Sequence, residues 1–257
     1  MNFRLIALLS IFFSSLLLLS SCGDNADQQQ ASADSVIDHP DQHILVFSKT
    51  DGWRHESIET GQEAIRQLGM EHNVGVTVTE LADMFNPDTL SRFDVVVFLN
   101  TTETVFEDEH REAFKEYIQN GGGYVGVHSA SDTEYDWPWY GDLVGAYFDN
   151  HPPGIINADI QVEDHNHPST RMLPTTWNRD DEWYNFQGFA DHINVLLTLD
   201  TESYEGSDHP GHHPIAWYHE FDGGRAFYTG LGHTHESYAE DLFLDHLWGG
   251  IIYAMGE

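Results

Sequence analysis

The sequence predicts an α/β protein of three layers, with a mostly parallel central sheet and helices on both faces. Short apolar runs recur along the chain, helical patterns separate the early ones, and polar loops rich in histidine follow several of them. A helix between neighbouring strands gives parallel pairing with a right-handed crossover. Cover on both faces makes each strand read as an unbroken apolar run.

The elements follow in order. His43-Ile-Leu-Val-Phe-Ser48 is the first buried strand, and Ser57 can cap a helix running to about Leu68, with Ile58, Ala64, Ile65 and Leu68 near one face. Val74 to Thr79 and Asp94 to Leu99 are the second and third strands. Glu107 to Gln119 carries the clearest helical marks: Phe106, Ala113, Phe114, Tyr117 and Ile118 share a stripe, acids crowd the start, and Gly121 can close the end. Gly123 to His128 is the fourth strand. In the less regular second half, Ile155–Val162, Asn194–Leu199, Pro214–Phe221 and Arg225–Thr229 suit strands, the last two joined by a tight Asp222-Gly223-Gly224 turn. Asp241 to Tyr253 closes as a helix, with Leu244, Leu247, Trp248, Ile251 and Ile252 in register.

The 257 residues hold no internal repeat and no second linker, so a single domain is expected over residues 43–257. Lys and Arg number 10 against 43 Asp and Glu, a net charge of −33. That balance argues against gripping a phosphate backbone, so no nucleic acid partner is expected. It is consistent with a solvated acidic surface, or with saline surroundings that screen self-repulsion. Aromatics at 13% do not fit a disordered acidic chain. The single cysteine excludes a disulfide framework, a Cys-based zinc site and a haem-attachment motif.

That cysteine lies near the start. Arg4 precedes an apolar run from Leu5 to Leu19 ending in Leu19-Ser20-Ser21-Cys22-Gly23, which reads as a lipoprotein signal peptide over residues 1–21 with Cys22 as the acylated residue. The bland alternative is an uncleaved anchor. Residues 22–42, rich in Asp, Gln, Ala and Ser, read as a flexible tether. The expected location is the cell envelope, extracytoplasmic and held to a membrane by the lipid.

In an open parallel sheet ligands bind beyond the carboxyl ends of the strands. Four loops lie there: Thr50–Ser57, Asn100–Thr104, His128–Asp132 and Gly230–Ser237. Their small residues, aromatics and histidines suit a shared pocket with proton transfer or metal binding.

Four segments then resemble one family. Asp51-Gly-Trp-Arg-His-Glu-Ser57, Gly121-Gly-Gly-Tyr-Val-Gly-Val-His-Ser-Ala130, Asp181-Glu-Trp-Tyr-Asn-Phe186 and the stretch from His213 to His233 are similar to the ThuA-like, or trehalose-utilisation, family, over about His43 to the C-terminus. The resemblance implies a flavodoxin-like or class I glutamine amidotransferase-like fold and a link to disaccharide catabolism, often beside enzymes that make 3-keto sugars. In the amidotransferases a nucleophilic cysteine sits on the turn after a Gly-rich strand. Here that turn holds His128 and Ser129, so glutamine hydrolysis through a thioester is excluded. A serine hydrolase built on Ser129 lacks an evident His–Asp partner.

Two mechanisms remain for a glycoside or keto-glycoside hydrolase or lyase. In one, a base removes the proton beside a 3-keto group and the C1 substituent leaves. His128 and Glu182 are the candidate bases, with Arg54, Arg225 or a metal stabilising the enolate. In the other, Asp132 and Glu182 act as paired carboxylates. Among 17 histidines, His55, His128 and His233 lie at strand ends and are the candidate ligands for zinc or manganese, while His165 and His167 read as surface hydrogen-bonding groups. Trp53, Trp137, Trp139 and Tyr184 are candidate sugar platforms, with Trp137-Pro138-Trp139 as a lid, and Trp217 reads as core. The rival expectation is a carbohydrate-binding lipoprotein without turnover, or an interaction module on a relic of the amidotransferase fold.

Overall fold

The computed structural model describes residues 40–257. The expected signal peptide, Cys22 and nearly all of the tether lie outside the described residues. From Gln42 onward the backbone is engaged in the fold: its carbonyl accepts the Gly75 N–H.

The chain order is β1 (His43–Phe47), α1 (Ile58–Glu71), β2 (Gly75–Thr79), α2 (Pro87–Leu90), β3 (Val95–Leu99), α3 (Asp108–Gln119), β4 (Gly123–Val127), α4 (Pro138–Val144), β5 (Tyr147–Asn150), β6 (Ile156–Val162), β7 (Thr176–Asp181), β8 (Asn185–Gln187), β9 (Asn194–Leu199), β10 (His213–Phe221), β11 (Gly224–Thr229) and α5 (Asp241–Met255). Nine strands form one sheet in the order β2-β1-β3-β4-β11-β10-β9-β6-β7, and β5 pairs with β8 apart from it. The first five are mutually parallel, and the remaining four are added antiparallel one after another. Seven of the nine therefore run the same way, with β10 and β6 reversed.

β3 and β4 are buried throughout, and the apolar runs that predicted them are the residues the two helical layers cover. α1 and α5 pack on one face, and α3 and α4 on the other. On β11 the alternation is plain, since Phe227 meets His246 of α5 while Tyr228 stacks on Trp217 at 4.5 Å. The α3 face holds an aromatic cluster in which Phe98 stacks on Phe114 at 5.3 Å and Phe47 meets Phe85 at 4.6 Å.

Several elements differ from the sequence reading. Residues 137–139 are not an irregular lid: Pro138 is the first residue of α4, where its missing N–H costs nothing. Ser57 precedes α1 without capping it, because its hydroxyl instead donates to Gly232 O at 3.4 Å and accepts from Asn100 at 3.1 Å. β7 and the small β5–β8 pair were not expected at all.

β7 decides the shape of the site. Strands sit about 4.8 Å apart, so a flat sheet would hold β7 roughly 19 Å from β11. Yet Asp181, the last residue of β7, accepts hydrogen bonds from Gly232 N at 3.0 Å and His233 N at 3.1 Å in the loop after β11. The sheet therefore coils until its far edge returns over α5, with Arg179 of β7 5.1 Å from the Phe243 ring.

Candidate functional site

The carboxyl ends of β1, β4, β7 and β11 each deliver one side chain to the same point. His55 follows β1, His128 follows β4, Glu182 follows β7 and His233 follows β11. One donor atom from each lies within 4.8 Å of all the others. His128 Nε2 is 3.1 Å from His233 Nδ1 and 3.4 Å from Glu182 Oε2, and His233 Nδ1 is 3.0 Å from that same oxygen. The three imidazoles stand nearly perpendicular to one another, their centroids 4.9–5.0 Å apart.

These spacings suit a cation. Metal bonds of about 2.0–2.1 Å in a tetrahedral site place neighbouring donor atoms about 3.3 Å apart, and an octahedral site somewhat less. Tautomers point the same way. His128 Nδ1 faces the Gly230 carbonyl at 2.9 Å, which can only accept, so this nitrogen carries the proton and Nε2 presents a lone pair to the cluster. His55 Nδ1 is 3.3 Å from the Ser129 hydroxyl. Burial, then the neighbouring His128 and His233, push His55 down to about 2, leaving a neutral imidazole at pH 7.

Glu182 and His233 shift in opposite senses. Burial opposes the ionised form of Glu182, but the neighbouring His128 and His233 outweigh it and hold the carboxyl below its usual range. Burial likewise opposes charge on His233, and the bond to Glu182 overrides it and raises this histidine. A proton on His233 Nδ1 can knit the three atoms together, and a metal ion can take the place of that proton. The four residues thus form a cluster that can hold a metal ion.

The cluster lies in a cleft of about 630 Å³, within the size range of small-molecule sites. Trp53, 71% exposed, stands at its rim, and Phe148 and Tyr184 line it, with Tyr184 4.1 Å from the His128 ring. Asp132 opens onto the same cleft. Burial raises its pKa above the ordinary aspartate value despite a 2.6 Å hydrogen bond from Tyr135.

Several expected roles are corrected by this geometry. His128 is fully buried with both ring nitrogens engaged, so it has no path to a substrate proton. Glu182 is not free to work as one of two paired carboxylates with Asp132, because Oε2 faces His128 and His233 and Oε1 lies 3.3 Å from His151. Arg54 does not reach into the cleft: it is ion-paired to Glu59 at 2.7 Å and Glu80 at 2.8 Å. Arg225 pairs across from Glu220 at the opposite end of β11, roughly 15 Å along the strand from Gly230. Trp137 and Trp139 stack on each other at 4.9 Å, and Trp139 donates to Asp222 at the far end of the sheet. His235, paired with His233 in sequence, bonds Thr60 at the cleft rim, and His167 is buried against Tyr218.

Sequence reasoning missed two residues. His151 lies in a His-Pro-Pro loop with no distinguishing pattern, yet it contacts Glu182. Asp181 is fully buried and accepts from Glu182 N at 3.0 Å, besides Gly232 and His233, and its only sequence signal is an acidic doublet inside one of the four quoted segments.

Comparison with known proteins places the chain in a family. The family model described as "Trehalose utilisation", ThuA, matches residues 43–254. A ThuA-like protein of Bacteroides uniformis superposes with a TM-score of 0.72 at 21% identity, covering 84% of this chain and 92% of its own. One from Parabacteroides merdae gives 0.62 at 19%, covering 84% and 90%. A protein of Thermoplasma acidophilum described as part of a GMP synthase gives 0.52 at 14%, covering 82% and 95%, and carries the amidotransferase likeness at the level of fold. No curated protein sequence matches the chain. With the family model spanning the whole described domain from β1 nearly to the end of α5, the chain belongs to the ThuA, or trehalose-utilisation, family.

Proposed function

We propose that the chain is a carbohydrate-processing enzyme that cleaves or converts a disaccharide or a 3-keto-glycoside at the His55–His128–Glu182–His233 cluster, loaded with a divalent cation such as zinc or manganese. The observation that carries this reading is the convergence of four donors within 4.8 Å at the floor of a cleft with aromatic walls. A bound cation supplies positive charge for the oxygen that becomes an enolate.

The chain's own groups do the rest. Trp53 and the half-buried Phe148 offer aromatic surface for the C–H faces of sugar rings, while Tyr184 is buried against His128 and Phe148 and backs the cleft wall. Asp132, with its pKa raised by burial, is the base: its carboxylate takes the C2 proton beside the 3-keto group. The freed electron pair forms the C1–C2 double bond as the C1–O bond breaks. The departing alkoxide takes a proton from water, the hydroxide so formed adds to C1, and C2 takes back the proton held by Asp132, so one water is consumed and the carboxylate is restored.

The test uses purified protein with trehalose, other disaccharides and their 3-keto forms, followed by NMR with and without a chelator. Product signals should appear, vanish with chelator, and be lost on Asp132→Asn while saturation transfer to the ligand persists. Saturation transfer without product from the unmodified protein would instead favour a carbohydrate-binding protein. In the same proposal the protein works outside the cytoplasm, held by a lipid on Cys22 that residues 1–21 direct. Detergent phase partitioning should place the native protein in the detergent phase and Cys22→Ala in the aqueous phase. Equal partitioning of the two would remove the anchor from the proposal.

A further inference from the structure

We propose that Asp181 is a positioning residue that sets the spacing of Glu182 and His233, and through them the metal affinity of the cluster. This inference rests on the metal-loaded reading of the site given above.

Glu182 and His233 arrive from β7 and from the loop after β11, which are separated by three intervening strands in the sheet. Coiling of the sheet brings them near each other, but coiling alone does not fix two donor atoms to within a few tenths of an ångström. Asp181 does so with one carboxylate. Its Oδ1 accepts from Glu182 N at 3.0 Å and from His233 N at 3.1 Å, which are the backbone groups of the two donors themselves. Its Oδ2 accepts from Gly232 N at 3.0 Å, from Arg179 Nη2 at 3.1 Å and from the Ser237 hydroxyl at 3.3 Å. Five hydrogen bonds converge on one fully buried carboxylate, and every donor is a group that cannot turn round to accept except Ser237.

The carboxylate is itself fixed. Arg179 is held 4.8 Å from the Trp177 ring and 5.1 Å from the Phe243 ring, donates to Ser237 at 2.7 Å, and pairs with Glu240 at 3.3 Å. The strut therefore runs from α5 through Arg179 and Asp181 to the backbone of two ligands. Its geometry demands a carboxylate rather than an amide. In Asp181→Asn one oxygen becomes an NH₂ group. Whichever way the amide turns, that NH₂ meets either the Glu182 and His233 N–H groups or the Gly232 N–H and Arg179, donor against donor. Loss of such outer partners typically weakens metal binding about 10–100-fold.

The experiment titrates the metal-free protein with cobalt(II) alone, read by its visible absorption, alongside thermal unfolding of the same samples. Asp181→Asn should weaken cobalt binding about 10-fold or more and alter the band shape. Ser237→Ala, which removes one of the five hydrogen bonds to the carboxylate and the acceptor of one Arg179 bond but leaves the Glu182 and His233 N–H groups paired, should weaken it by a smaller factor. Val96→Ala, a cavity in β3 away from the cluster, should lower the unfolding temperature and leave cobalt affinity unchanged, separating positioning from general stability. If the unmodified protein takes up no cobalt, the metal-loaded reading itself fails. If it does, and both Asp181→Asn and Ser237→Ala bind cobalt as tightly, the positioning role is overturned.

Discussion

His128 occupies a backbone conformation that few residues tolerate. Its φ of +50° lies in the left-handed region, where a side chain other than glycine costs about 1 kcal/mol or more. The conformation is held from both ends: the Tyr228 hydroxyl donates to its carbonyl at 2.7 Å, and its own Nδ1–H donates to Gly230 at 2.9 Å. Substitution can therefore separate the backbone from the imidazole. His128→Gly and His128→Ala both delete a metal donor and should both lose chelator-sensitive turnover. Their stabilities should differ in the unusual direction, with glycine the more stable by about 1 kcal/mol, because only it relaxes the turn. Urea denaturation checks this, and an alanine variant as stable as the glycine one would show that the turn stores no strain. At this scale the sequence was legible where position along a strand dictated proximity, as for His55, His128 and His233. It was not legible for Arg54 and Arg225. With 43 acids to 10 bases, a cation is more readily claimed by a nearby carboxylate than left for a substrate, as Glu59 and Glu80 claim Arg54.

Elements were readable to the extent that their buried positions were apolar. β1, β3 and β4 are covered by helices on both faces and announce themselves as apolar runs. α3 shows its stripe because only one face is covered, and its start is fixed by Glu107 and His110 bonding each other's backbone N–H groups. β7 hid for the opposite reason. It alternates between exposed and buried positions, but its inward residues are Trp177, Arg179 and Asp181, so two of three buried positions carry charge. A hydrophobic pattern cannot reveal a strand whose interior is an ion pair. That strand supplies both the strut and, one residue on, Glu182, so the least legible element builds the part of the site on which donor spacing depends. α4 escapes a sequence reading because Pro138 between two tryptophans suggests a loop, whereas proline at the first helical position and Gly145 in a left-handed closing turn bracket a short helix.

At the scale of the whole molecule, charge and burial act on stability in opposite directions as the pH changes. The net charge of −33 makes the folded chain repel itself, and acidification relieves that repulsion. Four histidines outside the candidate site do the reverse. Burial pushes His167, His213 and His219 down to about 4 and His246 down to about 3, from an ordinary value near 6.5. Each is neutral in the folded protein and titrates freely once unfolded. Between about pH 6.5 and pH 4 the unfolded chain therefore binds more protons than the folded one, and stability must fall as pH falls through that window. Above pH 6.5 neither state binds these protons, so their contribution is complete and flat. Salt separates the two effects, because at 1 M the screening length shrinks to about 3 Å and surface repulsion fades while the buried imidazoles remain unscreened. Two outcomes are expected for the metal-free protein. At pH 7.5, added sodium chloride should raise the urea midpoint. In 1 M sodium chloride, the midpoint should hold level from pH 8 to 7 and then drop steadily towards pH 4.5, with His246→Gln flattening that decline because His246 bonds only Ser169 O and the Thr229 hydroxyl, which an uncharged amide can satisfy. A midpoint that rises on acidification in high salt would mean that these histidines take up protons within the fold, and that burial does not hold them neutral.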